Sequence, residues 1–113
     1  MIYLASPYSC DSSWLRCHRY RQVCKATAWL MRQGHFVFSP IVNSHPLVEF
    51  GLPEGWDYWE NLDRIMIGHC DKLIVLKISG WKSSVGVRAE IHIADETGKP
   101  VVYLNPEEIS NVG

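Results

Sequence analysis

The run Ser83-Ser84-Val85-Gly86-Val87-Arg88-Ala89-Glu90 joins a hydroxyl, a small residue and a carboxylate at the spacing of a helix start. Ser84 caps such a helix, and with Gly86 it offers a hydroxyl and unbonded backbone N–H groups to an anion. Glu90 follows about one and a half turns inside, where the positive end of the helix dipole favours an ionised carboxylate. A positioned carboxylate is what nucleophilic displacement at a sugar carbon requires. The same spacing also fits an ordinary capped helix with a solvent-facing glutamate. Asp63 is the second carboxylate of interest, because cleavage of a glycosidic bond uses two, one as nucleophile and one handling the proton.

Further candidates surround this pair. The Tyr3 hydroxyl is placed to orient a carboxylate or meet a ligand, against the plain reading of a core tyrosine. Ser6 and Pro7 end the first apolar run. His45 sits among Asn43, Ser44 and Pro46, as a base or as a turn element. Trp56, Tyr58, Trp59 and Trp81 can stack on a nucleobase. Asp71 reads as a turn residue, and His92 falls off the helix face of Glu90.

The elements that must position these residues follow from periodicity. Ile2–Ala5, His35–Phe38, Leu73–Leu76 and Val101–Leu104 are short apolar or β-branched runs bounded by Pro, Gly or Ser, the pattern of buried strands. Between them lie helical spacings: one from a cap at Asp11, Ser12 or Ser13 to Gly34, one from Trp56 to about His69, and one from Val85 to about Thr97. Residues 39 to 55, rich in Pro and Gly, read as a long connecting loop of the kind that carries function. Alternating strands and helices imply an α/β fold: one domain over residues 1–113, with a Rossmann- or flavodoxin-like parallel sheet of 4–5 strands and helices on both faces. Ligands of such sheets bind beyond the carboxyl ends of the strands. That directs attention to residues 6–12, 39–55 and 77–84.

Composition narrows the partners. With 113 residues and 47% hydrophobic side chains the chain builds one core, and five tryptophans on so small a body favour a homodimer or higher homo-oligomer. A net charge of -1 argues against a nucleic-acid surface, which needs surplus Lys and Arg. No apolar run reaches the roughly 20 residues of a membrane span, and the N-terminus has no basic leader, so a cytoplasmic location is expected. Cys10, Cys17, Cys24 and Cys70 form no Cys-x-x-Cys pair, so a zinc centre is not expected; without an export signal neither is a disulfide framework, and no cofactor is expected.

Taken together, Tyr3-Leu4-Ala5-Ser6-Pro7-Tyr8, Asp63 through Cys70-Asp71, Ser84 to Glu90, and Gly98-Lys99-Pro100-Val101 resemble the nucleoside 2-deoxyribosyltransferase-like superfamily. The likeness spans nearly the whole chain. Ser39-Pro40-Ile41, Ser44-His45-Pro46 and Gly80-Trp81 make it similar to the small DUF1937-type branch. The resemblance implies Glu90 as the nucleophile that forms a glycosyl-enzyme intermediate, Asp63 as assistant to the base or sugar, and Tyr3 as the residue orienting Glu90. Classical transferases place an aspartate six residues before the glutamate; this chain has Ser84, as do the related deoxynucleoside 5′-monophosphate N-hydrolases, where the serine holds phosphate. An aspartate there would repel a phosphate, whereas a serine donates to it. The expectation is an N-glycosidase or transferase acting on a (deoxy)nucleoside 5′-monophosphate. Ser84, Gly86, Ser6, Pro7, His45 and Trp81 would bind substrate, and no metal takes part. The alternatives are a base-exchanging deoxyribosyltransferase and a nucleotide-binding module without turnover.

Overall fold

The computed structural model describes residues 1–109. In chain order the elements are β1 (Ile2–Ala5), α1 (Ser13–Arg32), β2 (Val37–Phe38), α2 (Pro40–Glu49), α3 (Trp56–Gly68), β3 (Lys72–Leu76), α4 (Val85–Glu96) and β4 (Val101–Leu104), followed by a 3₁₀ turn at Pro106–Glu108. The strands form one parallel sheet in the order β2-β1-β3-β4. This is an α/β fold of the Rossmann or flavodoxin type.

Alternation along the strands divides the core in two. Ile2 and Leu4 of β1, with Ile74 and Leu76 of β3, face Val23, Ala26 and Leu30 of α1, and Ile41 and Val42 of α2 pack at the margin. Tyr3, Ala5, Leu73 and Val75 point the other way, against Ile67 of α3 and Val87, Ile93 and Ala94 of α4. Each central strand therefore buries both faces, as the unbroken apolar runs require. The chain leaves β1 toward β2 on one side and later returns to β3 on the other. The switch point thus lies between β1 and β3, where an open α/β sheet has its crevice.

Two sequence expectations are corrected. Residues 39 to 55 are not one long loop, because Pro40–Glu49 is a helix. Ser39 caps it, its hydroxyl accepting from the Val42 N–H at 3.1 Å, and Pro40 occupies the first turn, where a missing N–H costs nothing. Ser39-Pro40 thus ends β2 after Phe38 and starts a helix as well. Pro46 is tolerated inside, at the loss of one backbone bond to Val42. The second strand is also shorter than His35–Phe38. Only Val37 and Phe38 pair with β1, although Phe36 O still accepts from the Ile2 N–H at 2.8 Å.

Caps delimit α1 and α4 as the sequence implied. Ser12 and Ser84 accept from Leu15 and Val87, and Gly34 and Gly98 take positive φ beyond the ends of α1 and α4. Asp71 holds the N-terminal ammonium at 2.5 Å, a structural role. Among the described residues no helix is long and apolar enough to cross a membrane.

Candidate functional site

A cavity of about 390 Å³ opens at the carboxyl ends of β1 and β3. Ser6, Tyr8 and Ser9 from the segment after β1 line it. So do Pro40, Ile41 and Ser44 of α2, Trp56, Trp59 and Asp63 of α3, and Ser83 to Gly86 with Glu90 at the start of α4. The structure thus brings Glu90, Asp63, Ser84, Gly86 and Ser6 to one space, from segments far apart in sequence.

Glu90 faces inward. On α4 the buried positions are Val87, Glu90, Ile93 and Ala94, a stripe at three- and four-residue intervals in which a carboxylate replaces an apolar side chain. Only 3% of Glu90 is exposed, which rules out the solvent-facing glutamate. Its Oε2 accepts a hydrogen bond from the Tyr3 hydroxyl, and Tyr3 is fully buried in the middle of β1. Asp63 repeats the pattern on α3, where Trp59, Asp63 and Ile67 form the buried stripe and α3 packs on α4.

Burial dominates the electrostatics of this trio. Desolvation pushes the Glu90 carboxyl well above the usual carboxylate range and the negative charge of Asp63 adds to this, while the hydrogen bond from Tyr3 opposes it. Burial likewise raises Asp63 to about 7, again opposed by Tyr3. Desolvation and the Glu90 charge hold the Tyr3 hydroxyl well above its ordinary value, so it remains a neutral donor. Two buried carboxyls beside one cavity hold their protons to higher pH than solvated ones do.

The N-terminus of α4 forms a second wall. The Ser84 hydroxyl accepts from the Val87 N–H at 3.2 Å, and the first intrahelical bond runs from the Arg88 N–H to Ser84 O. The N–H groups of Val85 and Gly86 therefore have no partner within the helix. A Cβ at Gly86 would meet Trp56 and Ser84 only at ordinary contact distance, 3.8 and 3.9 Å. Ser6 Oγ, also on the cavity wall, is buried and has no hydrogen-bond partner among the described residues.

Other expected site residues lie elsewhere. Pro7 is fully buried and shapes the turn behind Ser6. His45 does not line the cavity: it lies buried on α2 against α1, with Nδ1 2.6 Å from the Tyr8 hydroxyl and its ring stacked on Tyr20 at 4.2 Å. Its assignment as a loop residue fails because α2 is a helix that turns Ser44 to the cavity and His45 away. Trp81 is outside the cavity too, packed on Tyr103 of β4 at 5.5 Å with the Lys77 and Lys82 ammonium groups each 5.7 Å from its ring. Tyr58 is half exposed, and His92 pairs with Glu96 on the surface.

Residues outside the expected site complete the frame. Tyr8, Ser9 and Ser44 line the cavity. The Arg19 guanidinium donates to the carbonyls of Tyr8, Ser9 and Ser79, tying the segment after β1 to the one after β3. Gly80 admits it: φ is +95° there, and a Cβ would stand 2.5 Å from Arg19 Nη2.

No curated protein matches this chain. A family model described as a domain of unknown function, DUF1937, matches residues 1–105, and the chain belongs to that family.

Proposed function

We propose that this protein cleaves the N-glycosidic bond of a (deoxy)nucleoside 5′-monophosphate by retaining chemistry, as a hydrolase or transferase of the nucleoside 2-deoxyribosyltransferase-like class. The observation that carries the reading is the buried Glu90 carboxyl, held by Tyr3 and facing Asp63 in a cavity walled by a helix N-terminus.

Each part of the cavity suits one part of such a substrate. The free N–H groups at the start of α4, with the Ser84 hydroxyl, suit the phosphate, and a serine there adds no like charge. Trp56 and Ile41 offer apolar surface to the base, and the unpartnered Ser6 hydroxyl suits a sugar or base polar atom.

The raised carboxyls divide the work. In the reactive form Glu90 is ionised, stabilised by the Tyr3 O–H, and Asp63 keeps its proton. A Glu90 oxygen attacks C1′ as the C1′–N bond breaks, and the Asp63 proton passes to the departing base. Water, or an acceptor base, then attacks C1′ and returns a proton to Asp63, and the C1′–Glu90 bond breaks to restore the carboxylate. We assign the working form to a homodimer. Trp56, Trp59 and Trp81 already pack within the chain, and Phe36, Phe50 and the Tyr58–Leu62–Ile65 stripe of α3 remain exposed for a partner.

The test is a panel of nucleoside monophosphates and free nucleosides assayed for released base, with and without an added acceptor base. Base release from a monophosphate is expected. Tight binding without release, unaltered in Glu90→Ala, would instead make this a nucleotide-binding module.

A further inference from the structure

On the far side of α2 from the cavity, three side chains meet whose chemistry the proposed reaction does not use. Cys17 of α1 and His45 and Glu49 of α2 bring one donor atom each within 4.8 Å of one another. Cys17 Sγ is 3.9 Å and Glu49 Oε1 3.3 Å from the same nitrogen, His45 Nε2.

That shared nitrogen decides between two readings. In a cysteine-nucleophile relay the thiol and the acid sit on opposite ring nitrogens, because the imidazole passes a proton from one side while the acid holds the other. Here the thiol and the carboxylate converge on Nε2, and Nδ1 is engaged by the Tyr8 hydroxyl at 2.6 Å. Convergence on one nitrogen, with the other fixed by an outer hydrogen bond, is the arrangement of a metal-bound histidine.

We propose that Cys17, His45 and Glu49 bind one Zn²⁺ ion, with a fourth position open to water. Zn–S bonds near 2.3 Å and Zn–N or Zn–O bonds near 2.0 Å put tetrahedral ligand atoms roughly 3.3–3.6 Å apart. The two separations at His45 Nε2, 3.9 and 3.3 Å, lie within a few tenths of an ångström of that, and all three donor atoms are within 4.8 Å of one another. Thiolate, imidazole and carboxylate together favour zinc over the harder cations, which choose oxygen. Binding releases the Cys17 thiol proton to solvent and replaces the His45–Glu49 contact with two metal bonds.

The surroundings fit. His45 is held on its face by Tyr20 and at its edge by Tyr8, so the ring is already oriented. The Tyr8 hydroxyl, 2.6 Å from Nδ1, is a partner for that nitrogen on the side away from the ion. The nearby Arg16 guanidinium is neutralised by Glu54 at 3.0 Å. Cys17 and Glu49 are exposed, which gives an ion access. A metal here clamps α2 to α1, and α2 supplies Ile41 and Ser44 to the cavity, which Tyr8 also lines. The sequence reading set zinc aside for want of a Cys-x-x-Cys pair, but these ligands come from two helices that only the fold brings together.

The test uses chelator-treated full-length protein titrated with Zn²⁺ by calorimetry and with Co²⁺ by absorption. One ion per chain is expected, with the thiolate-to-cobalt charge-transfer band and the intense visible bands of four-coordinate cobalt. Cys17→Ser and Glu49→Gln, both at exposed positions, should weaken zinc binding by more than the roughly 10–100-fold typical of outer-shell changes, and Tyr8→Phe by an amount within that range. Cys24→Ser should change nothing. Absence of zinc uptake, or uptake that Cys17→Ser and Glu49→Gln leave at wild-type affinity, overturns the assignment whatever the catalytic outcome.

Discussion

Tyr3 and Glu90 lie 87 positions apart and share a buried hydrogen bond that joins the central strand to the first turns of α4. It is the only donated bond that holds the Glu90 carboxyl among the described residues, and it opposes the desolvation that raises the pKa of that group. A neutral phenol is well suited to this, since its own proton is held firmly by the same burial.

Tyr3→Phe should therefore reduce kcat/KM by about 10–100-fold, the worth of a hydrogen bond to a charged group. Without the O–H the Glu90 pKa rises further, so the acidic limb of the pH–rate profile should move to higher pH. A loss of rate with an unmoved profile would mean that the ring only fills space.

Asp63 makes a prediction about stability. Its folded-state pKa, about 7, lies above the unfolded value, so the folded chain binds the extra proton. That contribution is complete below about pH 4 and is lost as pH rises to 7. Asp63→Asn removes the titration. Urea unfolding at pH 5 and pH 8 should show the variant gaining on wild type by about 1–4 kcal/mol at the higher pH while losing activity. Parallel pH curves for the two proteins would show that Asp63 ionises freely.

Ser84→Ala should raise KM for a 5′-monophosphate by an amount equivalent to about 1–3 kcal/mol and leave a free nucleoside nearly unaffected. The comparison matters because Ser84 also caps α4. An equal loss on both substrates would reduce it to a cap.

Light scattering at micromolar concentration should find a homodimer. The apolar stripe of Tyr58, Leu62 and Ile65 on α3 is the surface expected to be covered, so Ile65→Glu should give a monomer that remains folded by circular dichroism. A wild-type monomer with full activity would remove the assembly from this account.

The strands and three of the four helices were legible because apolar runs and spacings are local signals, and Ser12, Ser84, Gly34 and Gly98 mark the ends of α1 and α4. The helix Pro40–Glu49 was hidden by its two prolines: Pro40 is favourable in a first turn, whereas Pro46 counts against any helix. That misreading carried His45 into the cavity, since a loop can present any residue and a helix presents only one face. For the carboxylates a local signal was present and undervalued. Glu90 and Asp63 occupy apolar positions in otherwise regular stripes, Val87-Glu90-Ala94 and Trp59-Asp63-Ile67. Their convergence with Tyr3 depends on the order of the strands, which no local pattern encodes.

The central claim is that Glu90 is the nucleophile. The most direct measurement is mass spectrometry of the protein quenched during turnover of its best monophosphate substrate, alongside the rate of Glu90→Gln. A glycosyl adduct on the peptide carrying Glu90 is expected. The variant should bind nucleotide normally yet lose about 10³-fold or more in rate, because the neutral amide cannot attack C1′. Near-normal turnover by Glu90→Gln, with no adduct on wild type, would contradict the mechanism.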